Sequence, residues 1–313
     1  MEDFVPLEIP FGDSAVRIKV PRDKFAGALH PNQVELRDEE LVAKEAVENP
    51  VGSEPLRSFL SNKQRILLIV NDHTRATPTS KVLGYIHDAL EGKDVEVLVA
   101  CGSHRAPTED ELRNKILGKF YSKLRERTVA HDAKDYDNLE YLGKTSRGTD
   151  VYVNKRLFKA DGVLVISSVE PHYFAGYMGG RKSVLPGVSG YITIEQNHKL
   201  ALDPNAQALK LKGNPVHEDM EEAAEMVKEK VEIFAVNVVM DLNRNIYACK
   251  AGDIVDVLYA LAPFANDVYC VSIREKAEVV VTVARNPVDI DPVSYTHLRA
   301  HETEADLVCR LLL

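Results

Sequence analysis

Three short stretches are almost wholly apolar: 65–70 (RILLIV), 94–100 (DVEVLVA) and 162–168 (GVLVISS). A run of that kind is what a strand covered on both faces requires. Amphipathic or charged stretches separate them. The spacing predicts a helix over 79–90 and another after Thr108, where Thr108 with Glu111 forms a capping box. A short helix is expected near 190–199, a charged one over 215–230 and a further one over 254–261. Strands are expected at 128–131, 149–154, 231–239 and 279–283. At the amino terminus FVPLEIPFGDSAVRIKVP alternates like one or two edge strands, with prolines where edges tolerate them. An acidic helix follows at about 38–48. Strands alternating with helices predict an α/β fold, a Rossmann-like, mostly parallel sheet flanked by helices.

A length of 313 residues corresponds to about two domains at roughly 150 residues each. The formal charge of −9 excludes a broad basic grip on nucleic acid or anionic lipid. Four cysteines without a C-x-x-C pair fit a reduced compartment. The acidic start MEDFVPLEIP lacks the features of a signal peptide. The longest aliphatic run, 66–70, is far below the ~20 residues that span a bilayer. A soluble, cytoplasmic protein with neither nucleic-acid nor membrane partner is expected. The last 22 residues, 292–313, show neither period, and SYTHLRAHET has the look of translated adapter sequence. They are read as non-native, and Cys309, His297 and His301 receive no functional weight.

In a parallel sheet, ligands bind beyond the carboxyl ends of the strands. Three such loops carry unusual side chains: Asp72, His73, Thr74 and Arg75; Gly102, Ser103, His104 and Arg105; and Glu170, His172, Gly179, Gly180, Arg181 and Lys182. His30, His87, His131 and His217 are read as surface or core residues. Arg75 can cap a helix, pair with Asp72 or hold a carboxylate. The Gly176–Lys182 loop departs from a P-loop, since Arg181 replaces the glycine before the lysine. Its glycines would let an anion approach the backbone, with Arg181 and Lys182 adding charge. Two imidazoles suit acid–base work near neutral pH, and a desolvated lysine is nucleophilic.

The segments DHTRATP (72–78), GSHRAPTEDEL (102–112) and EPHYFAGYMGGRKSVLPGVSG (170–190), followed by QNH (196–198), resemble the nickel-pincer-nucleotide lactate racemase family. The similarity runs from the amino terminus to about Asp291. It implies a nickel ion held by a pyridinium-3,5-bisthiocarboxylic acid mononucleotide joined to Lys182 through a thioamide, with His198 as nickel ligand. By the same resemblance His104 and His172 alternate as proton acceptor and donor, Arg75 meets the substrate, and Asp72, Gly179 and Gly180 lie on the cofactor side. The implied activity is racemisation or epimerisation of a 2-hydroxy acid, lactate first among them, by hydride transfer. The partners implied are the enzymes that make the cofactor.

The family continues into a second α/β domain. The chain is therefore expected to hold a catalytic and cofactor-binding domain over 1–265, the start of a truncated carboxyl-terminal domain over 266–291, and the odd tail. As written it is expected to turn over little and to aggregate through an uncovered face. Two other readings stand beside the racemase. One is a zinc hydrolase using His104, His172 and His198 as a three-histidine site. The other is a non-catalytic nucleotide-binding homologue.

Overall fold

A computed structural model describes residues 3–11, 14–273 and 279. The chain divides into two compact units, one of residues 34–266 and one combining 1–33 with 267 onward. In the second of these, β1 (Phe4–Phe11) and β2 (Ser14–Pro21) form an antiparallel hairpin, Phe4 opposite Pro21. The side chain of Asn32 there donates to the carbonyls of Asp267 and Cys270. The expected strand at 279–283 and the tail lie outside the described residues, apart from Val279.

The larger unit begins with α1 (Glu39–Glu48), whose N-cap Asp38 accepts from the Leu41 N–H, and the short α2 (Leu56–Phe59). β3 (Arg65–Asn71), α3 (Thr79–Ile86) and β4 (Asp94–Ala100) follow. The Thr108–Glu111 capping box is formed at α4 (Glu109–Glu111), which continues as a π-turn over Leu112–Leu117 and leads to α5 (Tyr121–Leu124) and β5 (Thr128–Ala130). β6 (Leu139–Lys144) and β7 (Asp150–Asn154) pair as a hairpin. β8 (Gly162–Ser168) is buried throughout. Next come the two-residue strands β9 (Pro171–His172) and β10 (Gly176–Tyr177), then α6 (Tyr191–Lys199), α7 (Pro215–Lys228), β11 (Ile233–Met240), β12 (Ile246–Gly252) and α8 (Asp256–Tyr269).

The main sheet has the order β12-β11-β8-β3-β4-β5. Five strands run parallel, and β12 returns antiparallel at the edge. Alternate residues of the apolar runs feed two cores. Leu68, Val70, Leu164 and Ile166 pack with α1, α3 and the 112–124 helices. Leu67, Ile69, Val163 and Val165 pack with α7 and the 174–188 loop. Both faces are covered, which is why the runs are continuous rather than alternating. From β3 the chain winds outward through β4 to β5, then returns to the other side of β3 as β8. The winding direction reverses between β3 and β8, where open α/β sheets bind ligands. Among the described residues no helix is long and apolar enough to cross a membrane.

Two elements escape the hydrophobic pattern. β6 carries Glu140 and a bulge near Gly143, and β12 is an edge strand interrupted by Lys250. α8 runs on to Tyr269, past the expected end at 261 and through Pro263.

Polar groups also join the elements. Asp219 of α7 is fully buried. It accepts from Thr145 Oγ1 (2.5 Å), Thr149 Oγ1 (2.8 Å) and Asn197 Nδ2 (2.8 Å), so it ties the β6–β7 turn to α6. Asp219→Ala would leave three donors unsatisfied. It is expected to lower unfolding free energy by about 3–5 kcal/mol in urea titration, the range for breaking buried charged networks. A loss under about 1 kcal/mol, the worth of one ordinary hydrogen bond, would contradict the role of this hub.

Candidate functional site

β8, β3 and β4 are adjacent and parallel, so the loops after Ser168, Asn71 and Ala100 open on one edge of the sheet. Across the β3/β8 reversal, Thr77 Oγ1 and Ser168 Oγ are 2.8 Å apart, and Asn71 Nδ2 donates to Thr77 Oγ1 at 2.7 Å. These bonds fix the bases of the first and third loops against each other.

Asp72 is buried. Its Oδ1 accepts from the Thr74 N–H (3.1 Å) and Thr74 Oγ1 (2.7 Å), while Oδ2 lies 2.7 Å from His104 Nδ1. Burial would raise its pKa, but His104, Thr74 and Arg75 outweigh burial and hold it below the usual carboxylate value. An ionised Asp72 accepts the hydrogen bond of His104 Nδ1–H, leaving Nε2 with a lone pair. The His104 side chain is 43% exposed, so that lone pair faces an accessible space. This carboxylate–imidazole pair was not visible from the sequence, where Asp72 is placed on the cofactor side.

His172 is buried, and its Nδ1 accepts from the Ala175 N–H at 3.2 Å. In the neutral ring the proton is then on Nε2. Burial, reinforced by Lys182, Arg75, His198 and Arg181, drives its pKa well below the ordinary histidine value. Phe174 organises the groups around it. Its ring lies 4.6 Å from His172 and 5.1 Å from His198 between centroids, and Lys182 Nζ is 5.8 Å from its centroid. Nothing in the sequence pattern marks Phe174 except its place between His172 and the glycine loop.

Lys182 is half-buried on the turn Gly180–Ser183. Burial, with Arg75 and Arg181 nearby, drives its pKa well below the ordinary lysine value. His198, on α6, has a buried Nδ1 near the Ile194 carbonyl but without hydrogen-bond geometry to it. Burial and then Lys182 bring its pKa down to about 4, so the ring is neutral and able to bind a metal. Arg75 makes one long contact, Nη1 to Met178 Sδ at 3.8 Å. Among the described residues no carboxylate lies within ion-pair distance of it, which leaves its planar fork for an incoming carboxylate.

The glycines of this loop are required by close approach. Gly179 (φ +82°) and Gly180 (φ +53°) have left-handed backbones, and a Cβ would meet Ser168 O at 2.7 Å and Ile254 O at 2.6 Å respectively. Asn237, fully buried on β11, accepts from the Gly180 N–H at 2.9 Å while its nitrogen donates to Ser167 Oγ at 2.6 Å. It had no signal in the sequence beyond being polar within an apolar strand.

Two expectations are corrected. Arg181 adds no charge to an anion site by direct contact. It is 0% exposed and its guanidinium is spent on carbonyls of its own loop. Nor do His104, His172 and His198 gather as a three-histidine centre: among the described residues no group of three or more His, Cys, Asp or Glu side chains could hold a metal. His131 and His217 are core residues, bonded to Ser189 O and Asn154, and to Glu221 and Tyr259.

Residues 11–209 match the family described as the lactate racemase N-terminal domain. The lactate racemase of Thermoanaerobacterium thermosaccharolyticum is 32% identical over 286 residues, covering 88% of this chain and 66% of that protein. The lactate racemase of Lactiplantibacillus plantarum is 32% identical over 259 residues, covering 80% and 60%. The structure of the T. thermosaccharolyticum lactate racemase apoprotein superimposes with a TM-score of 0.74 at 31% identity, over 85% of this chain and 63% of that one. A Thermotoga maritima protein shares the fold, with a TM-score of 0.63 at 21% identity over 76% of this chain. The chain thus spans just under two thirds of the length of these lactate racemases.

His131, His172, His198 and His217 all have pKa values lowered by burial. Below about pH 6.5, the unfolded value, the unfolded chain therefore holds more protons than the folded one. Stability is expected to fall as pH drops from about 6.5 towards 4, read as a declining urea midpoint. His217→Gln should flatten the decline. A midpoint constant across that window would show that these rings are not buried in neutral form.

Proposed function

The chain belongs to the lactate racemase family, and on that premise we propose that it interconverts the enantiomers of a small 2-hydroxy acid, lactate first, using a nickel-pincer nucleotide. The observation that carries this reading is the gathering of Lys182, His172 and His198 around Phe174 at the sheet reversal, with Arg75 acting on Lys182 and His172.

The residues fit the cofactor on their own chemistry. Lys182 offers an amine disfavoured from carrying a proton, as covalent attachment needs. Gly179 and Gly180 let the turn that carries Lys182 pack against Ser168 and Ile254, which fixes where the amine starts from. His198 offers a neutral, unpartnered buried nitrogen, and imidazole suits nickel. The described residues hold no three-ligand cluster. In this reading His198 would be the protein's ligand, and the metal's other donors would come with the nucleotide. When bound, that group supplies the acceptor for the substrate's α-hydride.

The chain's own side chains do the rest. Arg75 holds the substrate carboxylate through its guanidinium. His104, its Nδ1–H committed to Asp72, takes the hydroxyl proton at Nε2. Asp72 stabilises the imidazolium formed, as the paired carboxylate of a catalytic dyad does. His172 would deliver a proton from Nε2 to the same oxygen as the imidazolium, with Nδ1 protonated and the Ala175 bond given up, and would be left neutral. Running the reaction in reverse exchanges the roles of the two rings. The Tyr173 ring stacked on His172 and the Phe174 ring edge-on to it exclude water around His172.

The test is an intact mass with nickel analysis on protein from cells that also make the cofactor. The expected result is an adduct mapping to Lys182 and about one nickel per chain. Lys182→Ala should carry neither, and His198→Ala should keep the adduct with nickel reduced about tenfold or more, as loss of a metal ligand requires. His104→Ala should keep both and lose racemisation. An unmodified chain, beside a full-length lactate racemase that carries the adduct, would overturn the proposal.

A further inference from the structure

Of the two candidate acid–base rings, His104 is the less packed. Its side chain is 43% exposed, whereas His172 is buried. Its orientation therefore depends on the Asp72 bond at 2.7 Å and on the backbone beneath it. That backbone is tied on one side, where the Gly102 N–H donates to Gly187 O and the His104 N–H to Cys101 O, both at 2.9 Å. On the other side the tie is made by side chains. Arg105, next to His104, donates Nη1 to Glu111 Oε2 (2.8 Å) and Nη2 to Glu111 Oε1 (2.9 Å). His73, next to Asp72, has its Nε2 3.8 Å from Glu111 Oε1, a packing contact rather than a hydrogen bond. Lys115 Nζ stands 4.0 Å from the same oxygen. Asp72, His104, Arg105, Glu111 and His73 thus close a ring through two peptide bonds and three side-chain contacts.

An exposed ion pair by itself contributes little. The Arg105–Glu111 pair differs in two respects. Its fork is bidentate, which fixes direction as well as distance. Its carboxylate is also held already. Glu111 is 16% exposed, its Oε2 accepts the Thr108 N–H at 2.8 Å, and its own N–H donates to Thr108 Oγ1 at 3.3 Å. The Arg105 fork, with the Thr108 N–H, outweighs burial and brings the Glu111 pKa down to about 2, so the carboxylate stays ionised. The glutamate that caps α4 therefore also grips the loop before it. A catalytic side chain must be held to within roughly 0.5 Å, and packing does not do this for a half-exposed ring.

We propose that Glu111 is a positioning residue for the Asp72–His104 pair: by clamping Arg105 it fixes the backbone that carries His104, with its carboxylate packed against His73, and so keeps Nδ1 of His104 on Asp72. The proposal deepens the reading of His104 as an acid–base group, and rests on that reading for its biological meaning only. The state of the ring is measurable on the chain without cofactor.

The experiment reads the tautomer of His104 in the full chain by proton–nitrogen correlation NMR of the ring at about pH 9, above the ordinary histidine pKa of about 6.5. His104→Gln assigns the signals. The wild-type ring is expected to carry its proton at Nδ1. Glu111→Ala and Arg105→Met each remove one side of the clamp. Each should lower the ratio of Nδ1–H to Nε2–H about tenfold, as loss of a charge-assisted hydrogen bond requires. The double variant should fall no further than either single one, because both break the same contact. Thr108→Ala removes the capping hydroxyl but keeps the N–H that Glu111 accepts, and should leave the ratio unchanged. Ring signals of His131 and His217, both in the core, show that each variant is folded, and Arg105→Met carries the comparison if Glu111→Ala is not. Three results would overturn the proposal: a wild-type ring protonated at Nε2, a ratio unchanged in both clamp variants, or an equal fall in Thr108→Ala. A missing cofactor adduct in loaded cells would change none of these ratios, so the two readings fail separately.

Discussion

Strand β3 lies between β4 and β8, and all three run the same way. Parallel pairing sends successive carboxyl ends to one edge, so the loops bearing Asp72 and Arg75, His104, and His172 to Lys182 must meet there. The buried polar contact between Thr77 and Ser168 locks the β3 and β8 loops at the point where the winding reverses. A one-residue slip of β8 against β3 would exchange its two faces and break that contact. The complete burial of β8 resists such a slip, because Leu164 and Ile166 belong to one core and Val163 and Val165 to the other.

Around this frame the protein satisfies an unusual set of buried polar groups. Asp219 ties the β6–β7 turn to α6, the helix of His198. Asn237 ties β11 to the backbone of Gly180. Arg181 fills the inside of its own loop. Each satisfies polar partners inside the core, and each sits one step behind a candidate functional side chain. That placement is what a rigid site needs: side chains that touch a ligand are held by groups whose own positions are over-determined. The low-dielectric surroundings that strengthen these bonds also disfavour the charged forms of His172, His198 and Lys182.

The fold class, the strands of the parallel sheet, the Thr108–Glu111 capping box and the three loops that carry the candidate chemistry can be read from the residues alone. These are legible because local periodicity and cap chemistry act over a few residues. DHTRATP, GSHRAPTEDEL and the 170–198 segment also carried the family resemblance. The weak edge elements β6 and β12 were not legible, since a charged residue or a bulge in a short strand erases the pattern. Which nitrogen of His104 is bound depends on the folded arrangement, because its partner Asp72 is 32 positions away. The same arrangement turns Arg181 inward while Lys182, its neighbour, lines the site. Adjacent residues share composition and spacing. Whether a cation meets ligand or carbonyl depends on how the loop curls, which is set by contacts with Ser168, Ile254 and Lys210 from distant parts of the chain.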